Sequence, residues 1–419
     1  MKISTDYIVG QAARRCDFVQ FNSSISKYDT VYLVDNKIKN FQSTSKKIYR
    51  LEVWIGKKKG AFVSTRIDKS MIEKALSIAK SSQNLDYFYG LPEKSVLPRV
   101  KTSDKKVRDM TERDLFEHAK DLINQAYDKK TSISEGSVSR ELSEERVINS
   151  NGIDYSCSKT SMFSMASLTA SHGLKKSTFH GYKLQPSFFE ADYIKEACEK
   201  ARFYLASEKI TKIPETIILK PRVFADLLEE AFLEGLKSSN FIQKKSIFVN
   251  KIGKRCLSNI TIVDDGTRDL MLGSAPFDYE GNPCRRTEIF KKGVLKNIIT
   301  NYNDSIKLGM KPTGNASDNG VDFSNLFVNG DFNGIDDALV VEDVVGAHTA
   351  NEITTDFSVL IDHAYIMKKG EKRPVSNLML SGNLLKALQG YESIGREREQ
   401  HSNIETGALA TKFLTVFKR

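Results

Sequence analysis

Six histidines supply the imidazoles available for metal or acid–base work: His118, His172, His180, His348, His363 and His401. The nearest two are eight residues apart, so no short two-histidine metal motif exists, and a site could arise only from histidines brought together from afar. Individually they read as surface or hydrogen-bonded core residues. Five cysteines (Cys16, Cys157, Cys198, Cys256, Cys284) form no CxxC pair, which argues against a cysteine zinc site or a disulfide framework. They read as small buried hydrophobes. No GxSxG elbow, GxxxxGK[ST] phosphate loop or GxGxxG turn occurs, so serine-hydrolase, ATP and dinucleotide chemistry lack their local signals.

Carboxylates remain. Glu229, Glu230 and Glu234 fall in the apolar-periodic run VFADLLEEAFLEGLKSS (223–239), predicted as a helix ending near Gly235. On one helix Glu230 and Glu234 would be i,i+4 neighbours whose repulsion a cation or Lys237 would relieve. Carboxylates suit Mg²⁺, Ca²⁺ or Mn²⁺ better than they replace imidazole on zinc. Three readings stand: a solvated acidic face, a weak hard-cation site, or polar contacts with a partner chain. A second constellation is GSAPFDYEGNP (273–283), where Gly273, Gly281, Pro276 and Pro283 dictate tight turns outside regular ladders. It reads as a structural double turn or as the rim of a peptide-binding groove. Asp278, Glu280, Arg285 and Arg286 read as turn-stabilising ion pairs.

The elements that must position these residues are of mixed type. IYRLEVWI (48–55) and AFVST (61–65) flank GKKKG as a hairpin whose lysines sit at the solvated tip. Asp68 opens a helix with Met71, Ile72, Ala75, Leu76 and Ala79 on one face. Thr111 with Asp114 forms a capping box ahead of a helix buried through Leu115, Ala119, Leu122, Ile123 and Ala126. Asn151-Gly152 marks a hairpin corner, and Ile194, Ala197, Cys198 and Ala201 mark a helix near 190–206. Residues 213–221 read as a strand, and CRRTEIF-KKG-VLKNIIT (284–300) as a further hairpin. The fold class is therefore α+β: a mixed N-terminal region followed by a β-rich C-terminal domain with mostly antiparallel sheets. Three segments are expected, at 1–110, 111–212 and 213–419.

Composition narrows the function classes. The 419 residues are 40% hydrophobic and 28% charged, as in an ordinary globular protein. Lys and Arg number 63 against 53 Asp and Glu, and 63 − 53 leaves +10. That is mild and interleaved, with no basic stripe carrying aromatics, so nucleic acid is not an expected partner. No apolar run approaches the ~18 residues of a membrane span. Asp6, Gln11, Arg14 and Arg15 interrupt what a signal peptide would need, so a cytoplasmic location is expected.

The stretch 273–316, GSAPFDYEGNPCRRTEIFKKGVLKNIITNYNDSIKLGMKPTGNA, resembles the signature of the TldD/PmbA family, metallopeptidases formerly called modulators of DNA gyrase. KGAFVSTRIDKSMIEKALSIAK (59–80), NSNGIDY (149–155), ITIVDDG (260–266), TTDFS (354–358) and LMLSGNLLKALQGYESIG (378–395) resemble it in the same order. The peptidase branch of that family carries HExxxH, two metal-binding histidines with a general-base glutamate, and a later cysteine. Glu229 and Glu234 stand here where the histidines would be, Glu230 matches the motif glutamate, and no cysteine follows Cys284. The pattern is similar to the TldE/PmbA branch. It implies no catalytic, cofactor-binding or metal residues in this chain, and a heterodimer with a TldD-like subunit that holds the divalent metal, expected to be zinc. Unfolded peptides or small proteins would be cleaved there, lying as an added strand on a sheet edge. The alternative is a stand-alone regulatory protein that binds peptides or a partner without peptidase activity; a third is an independent acidic-site metallopeptidase. Where the family commonly has Thr-Gly-Asp, this chain has Thr354-Thr355-Asp356, a change that matters if the middle position needs φ > 0.

Overall fold

A computed structural model describes residues 4–126, 131–210 and 212–418. The first three residues of the N-terminal reading and the last of the C-terminal segment thus lie outside the described residues. Helix α1 (Thr5–Ala13) precedes strands β1 (Phe18–Val34), β2 (Lys37–Ile55) and β3 (Lys58–Ser64) and helix α2 (Ser70–Ser81). An irregular stretch leads to α3 (Lys105–Asp109) and α4 (Glu112–Ala126), then β4 (Thr131–Asn149), β5 (Asp154–His172), β6 (Lys175–Gln185) and α5 (Tyr193–Tyr204). The six strands form one antiparallel sheet, β3-β2-β1-β4-β5-β6, joined across its middle by the β1–β4 ladder.

Strands this long present different faces along their length. Val19 and Phe21 of β1 join α1 and α2 in one core. Val31 and Leu33 at its other end join α4 and α5 in a second. Between them the strands are polar, and Arg140 of β4 grips Asp29 of β1 through Nε at 3.0 Å and Nη2 at 2.8 Å. The remaining guanidinium nitrogen donates to the Met110 carbonyl, which fastens the α3–α4 turn to the sheet. The predicted stripes of α2 and α5 are buried in full, and α4 buries all of its stripe except the half-buried Ile123 while adding His118. Asp114 closes the capping box by accepting the Thr111 N–H at 2.7 Å. Of the GKKKG lysines, Lys57 occupies the turn, whereas Lys59 lies in β3, pairing with the buried Glu52 at 2.9 Å and covering Trp54. A buried carboxylate needs that partner, so the lysine is drawn off the tip.

The C-terminal half opens with β7 (Ile217–Leu219), α6 (Pro221–Ala231) and α7 (Ser238–Ile242). There follow β8 (Thr261–Asp265), β9 (Arg286–Lys291), β10 (Val294–Leu295), α8 (Tyr302–Lys307), β11 (Ala316–Ser317), β12 (Gly320–Val321) and β13 (Leu326–Asn329). The chain continues through β14 (Asp337–Val345), β15 (Asp356–Lys368), β16 (Glu371–Val375), β17 (Leu378–Asn383), α9 (Leu384–Gln389), β18 (Tyr391–Ile394), β19 (Glu399–His401), β20 (Ile404–Thr406), β21 (Leu409–Thr411) and β22 (Leu414–Lys418). Two large sheets result, β10-β9-β8-β13-β20-β19 and β18-β21-β7-β14-β15-β17-β22, with β16 also on β15, beside a two-stranded β11–β12 ribbon. They share one large core into which α6 is sunk. The architecture bears out the α+β expectation, and most ladders are antiparallel; β13–β20 and β14–β7 are the parallel pairs.

Two turns show local necessity. The β9–β10 hairpin turns through Lys292 and Gly293, both at positive φ. A Cβ on Gly293 would fall 2.0 Å from the Ser258 carbonyl, so only glycine fits. Thr355 has φ 66°, a left-handed conformation that costs a β-branched residue roughly 1–2 kcal/mol. The Thr-Gly-Asp to Thr-Thr-Asp change therefore places strain at a position that does call for glycine. Buried surroundings hold it, with its N–H on Asn351 O at 2.8 Å and its carbonyl accepting from Leu384 at 2.9 Å.

Candidate functional site

Helix α6 starts on Pro221, whose fixed φ suits the first turn, and buries Val223, Phe224, Leu227, Leu228 and Ala231. It does not continue to Gly235. Phe232 leaves helical geometry at φ −132°, and residues Leu233–Leu236 form a 3₁₀ turn. The cause is packing: Phe232 is fully buried against Phe248 and Phe290, with ring centroids 5.5 and 6.1 Å away. Phe248 also presses on Gly235 at the distance where a Cβ would touch it, and Ser246 donates to the Gly235 carbonyl.

The break separates the three glutamates. Glu230 and Glu234 are not neighbours on one helix, and Glu234 turns to Lys237, which also reaches Asp322 at 2.9 Å. Asn240 Nδ2 donates to the Glu234 carbonyl at 2.8 Å and its carboxylate at 3.3 Å. Glu229 stays on the solvent side, its pKa raised by desolvation and then by Glu230 and Asp226. The positions that match a two-histidine zinc motif thus offer one carboxylate already neutralised by lysine and two not gathered with it. They do not fit that metal.

Beside α6 lies a polar cleft of about 230 Å³ between the first sheet and the C-terminal half. His401 of β19 bridges Asp226 of α6, Nε2 to Oδ1 at 2.7 Å, and Tyr182 of β6, Nδ1 to hydroxyl at 2.6 Å. A ring that donates its Nε2–H to Asp226 and is neutral would accept the Tyr182 hydroxyl at Nδ1. Arg222 stacks its guanidinium on the Tyr182 ring at 4.5 Å and reaches Asp343 at 3.4 Å. Tyr204 donates to Glu342 at 2.6 Å, and Lys200 pairs with Glu342 and Glu196. Burial pushes the Tyr182 and Tyr204 hydroxyls well above their ordinary range, so both act as fixed donors. None of these residues was singled out from the sequence as functional. Tyr182 and His401 are 219 positions apart, and no local pattern marks the pair.

The stretch 273–283 is a structural double turn that also borders a groove. Asp278 is buried and accepts N–H groups of Glu280 at 3.0 Å, Asn282 at 2.9 Å and Ala316 at 3.0 Å. Glu280 accepts from the Tyr302 N–H at 2.8 Å. The expected ion pairs with Arg285 and Arg286 do not form: Arg285 donates to the Lys311 carbonyl, and Arg286 lies near Glu288. Backbone donors stabilise these turns, and desolvation raises both carboxyl pKa values, that of Glu280 further through Asp278. The same stretch lines a groove of about 430 Å³ with Asn22, Arg50 and Lys159 of the first sheet. Two of its lining residues, Asn315 and Ser317, each carry a buried side-chain oxygen without a hydrogen-bond partner, Oδ1 and Oγ. Such atoms are costly unless something pairs with them.

All five thiols are free; Cys198 and Cys284 are buried and the others half-buried. His172 and His348 are exposed, while His180 meets the Ser167 hydroxyl at 2.9 Å. No helix among the described residues is long and apolar enough to cross a membrane.

Residues 214–418 match the family model described as the PmbA/TldA metallopeptidase C-terminal domain, and residues 105–202 that of the central domain. An uncharacterized protein of Methanocaldococcus jannaschii is 29% identical over 336 residues, 78% of this chain and 79% of that one. A metalloprotease PmbA homolog of Haemophilus influenzae is 25% identical over 89% of this chain and 86% of its own. The crystal structure of TldE from Thermococcus kodakarensis superposes with a TM-score of 0.90 at 18% identity, covering 98% of this chain and 99% of that one, a likeness of fold.

Proposed function

Since the chain belongs to the PmbA/TldD metallopeptidase family, we propose that it is the subunit of a TldD/TldE-type peptidase complex that does not carry the catalytic metal. A TldD-like partner would supply the divalent ion, and the pair would work in the cytosol on unfolded peptides or small proteins. The observation that carries this reading is the segment from α6 into the 3₁₀ turn after it: its motif positions hold Glu229, Glu230 and Glu234, and Lys237 already neutralises the last. This chain's own work is then to bind and wall. The 430 Å³ groove is lined by polar side chains, among them Asn22, Asn315 and Ser317, suited to the backbone of an extended peptide. Such recognition gives affinity with little preference for side chains.

The test is reconstitution with a TldD-like subunit from the same genome, following cleavage of an unstructured peptide. Activity is expected only when both chains are present, with the catalytic metal held by the partner. Equal cleavage by the partner alone would sink the reading. Metal-dependent cleavage by this chain alone, lost in Glu229→Ala, would overturn it in favour of an independent acidic-site enzyme.

A further inference from the structure

Away from the three glutamates, another set of side chains has the donor types and spacing of a metal site. Asp343 of β14 and Asp362 and His363 of β15 each place one ligand atom within 4.8 Å of the other two, the one such group among the described residues. Three ligands at ~2.0–2.2 Å from a common cation lie about 3–4 Å from one another, so this spacing needs little closure.

Three further observations point to a ligand. His363 is 5% exposed, and its Nδ1 has no aligned hydrogen bond although Asp362 Oδ2 lies 3.2 Å away. This buried nitrogen lies within reach of both carboxylates without an aligned hydrogen bond of its own. Second, the β14–β15 register shifts on both sides of the Asp343–His363 pair, a bulge that interrupts the ladder and re-aims Asp343. Third, Arg222 does not satisfy the cluster. It stands 3.4 Å from Asp343 Oδ2, and its own Nε is buried without a partner. Two carboxylates against one guanidinium leave a charge of −1, which a divalent ion reverses to +1.

We propose that Asp343, Asp362 and His363 form a binding site for one divalent first-row transition cation of the zinc or manganese class, clipping β14 to β15 beneath α6. Two carboxylates and one imidazole suit borderline cations better than the all-oxygen preference of calcium or magnesium. Phe179 and Tyr204 pack on the His363 ring at 5.0 and 4.5 Å, which fixes its orientation and keeps that side dry. Asp362, whose side chain is 42% exposed, gives the ion its way in from solvent. The site is distinct from the α6 motif positions, and its occupancy is independent of whether a partner supplies metal elsewhere.

The experiment uses the full, tag-free chain, stripped with chelator, incubated with zinc or cobalt(II) and dialysed. Elemental analysis and the visible absorption of the cobalt form are then read. One equivalent of metal is expected in the parent chain and in Glu229→Ala. Asp362→Ala, a change at an exposed position, should lower affinity at least ~10-fold with the metal-free fold unaltered by circular dichroism. His363→Gln should change the cobalt spectrum by removing the nitrogen ligand. Absence of stoichiometric metal in the parent chain, or unchanged binding in Asp362→Ala, overturns the proposal.

Discussion

Asp264 shows what a single buried carboxyl contributes. It is fully buried on β8, where it accepts the Ser324 N–H and an Asn315 Nδ2 hydrogen, each at 2.7 Å. Desolvation outweighs those bonds and pushes its pKa up to about 7. An aspartate in the unfolded chain titrates near ~3.9, so between that pH and about 7 the folded chain keeps a proton that the unfolded chain has lost. Its stabilising contribution is therefore complete below pH ~4 and is lost as pH rises through 7. Asp264→Asn removes the titration with little change of shape. The difference in unfolding free energy between parent and variant should then fall by on the order of 2–4 kcal/mol from pH 4 to pH 8. Denaturant titrations at several pH values measure it, and parallel pH profiles would refute the assignment. Nothing in the local sequence ITIVDDG separates Asp264 from Asp265; only the fold shows which is sealed by Asn315 and Ser324, fifty and more residues away.

At the scale of elements, α6 is held by what its apolar side chains enter, not by its carboxylates. Phe232→Ala empties a site shared with Phe248 and Phe290, and about 3–5 kcal/mol of stability should go with it. Glu229→Ala, on the solvent side, should stay within about 0.5 kcal/mol of the parent. Urea midpoints of the two variants decide this, and comparable losses would mean that Glu229 has a structural partner. The same helix marks where local reading stops. Stripes in α2, α4 and α5 were legible because burial there follows a 3.6-residue period within one segment. The capping box at Thr111 and the turn at Lys292-Gly293 were legible because their chemistry is local. The helical period runs unbroken through Phe232, yet the chain leaves the helix there because two phenylalanines from distant segments claim that ring. The site beside α6 was opaque for the same reason: a helix and two strands far apart in sequence bring Asp226, Tyr182 and His401 together.

Across the whole molecule, the first sheet and the C-terminal half are sewn together rather than merely adjacent. Val340 of β14 and Tyr365 of β15 belong to the core formed by α4, α5 and the first sheet. Tyr87 donates to Asp304 at 2.6 Å, and the Gln20 and Asn22 amides both donate to the Tyr279 carbonyl, at 3.2 and 2.7 Å. With Asp226, His401 and Tyr182 closing the cleft side, neither half can unfold without baring apolar surface and orphaning buried polar groups of the other. Chains of this size commonly unfold in stages, so the shared core makes a specific prediction. The single tryptophan, Trp54, is 4% exposed, stacks on Phe88 at 5.2 Å and reports on the first sheet alone. Far-ultraviolet circular dichroism reports on all the sheets. The two signals should share one urea midpoint in the parent chain, and Tyr87→Phe, which removes one cross-half hydrogen bond worth ~1 kcal/mol, should move both together. If Trp54 fluorescence changes at a separate midpoint, or shifts alone in Tyr87→Phe, the halves are independent folding units and the cleft beside α6 is a hinge rather than a seam.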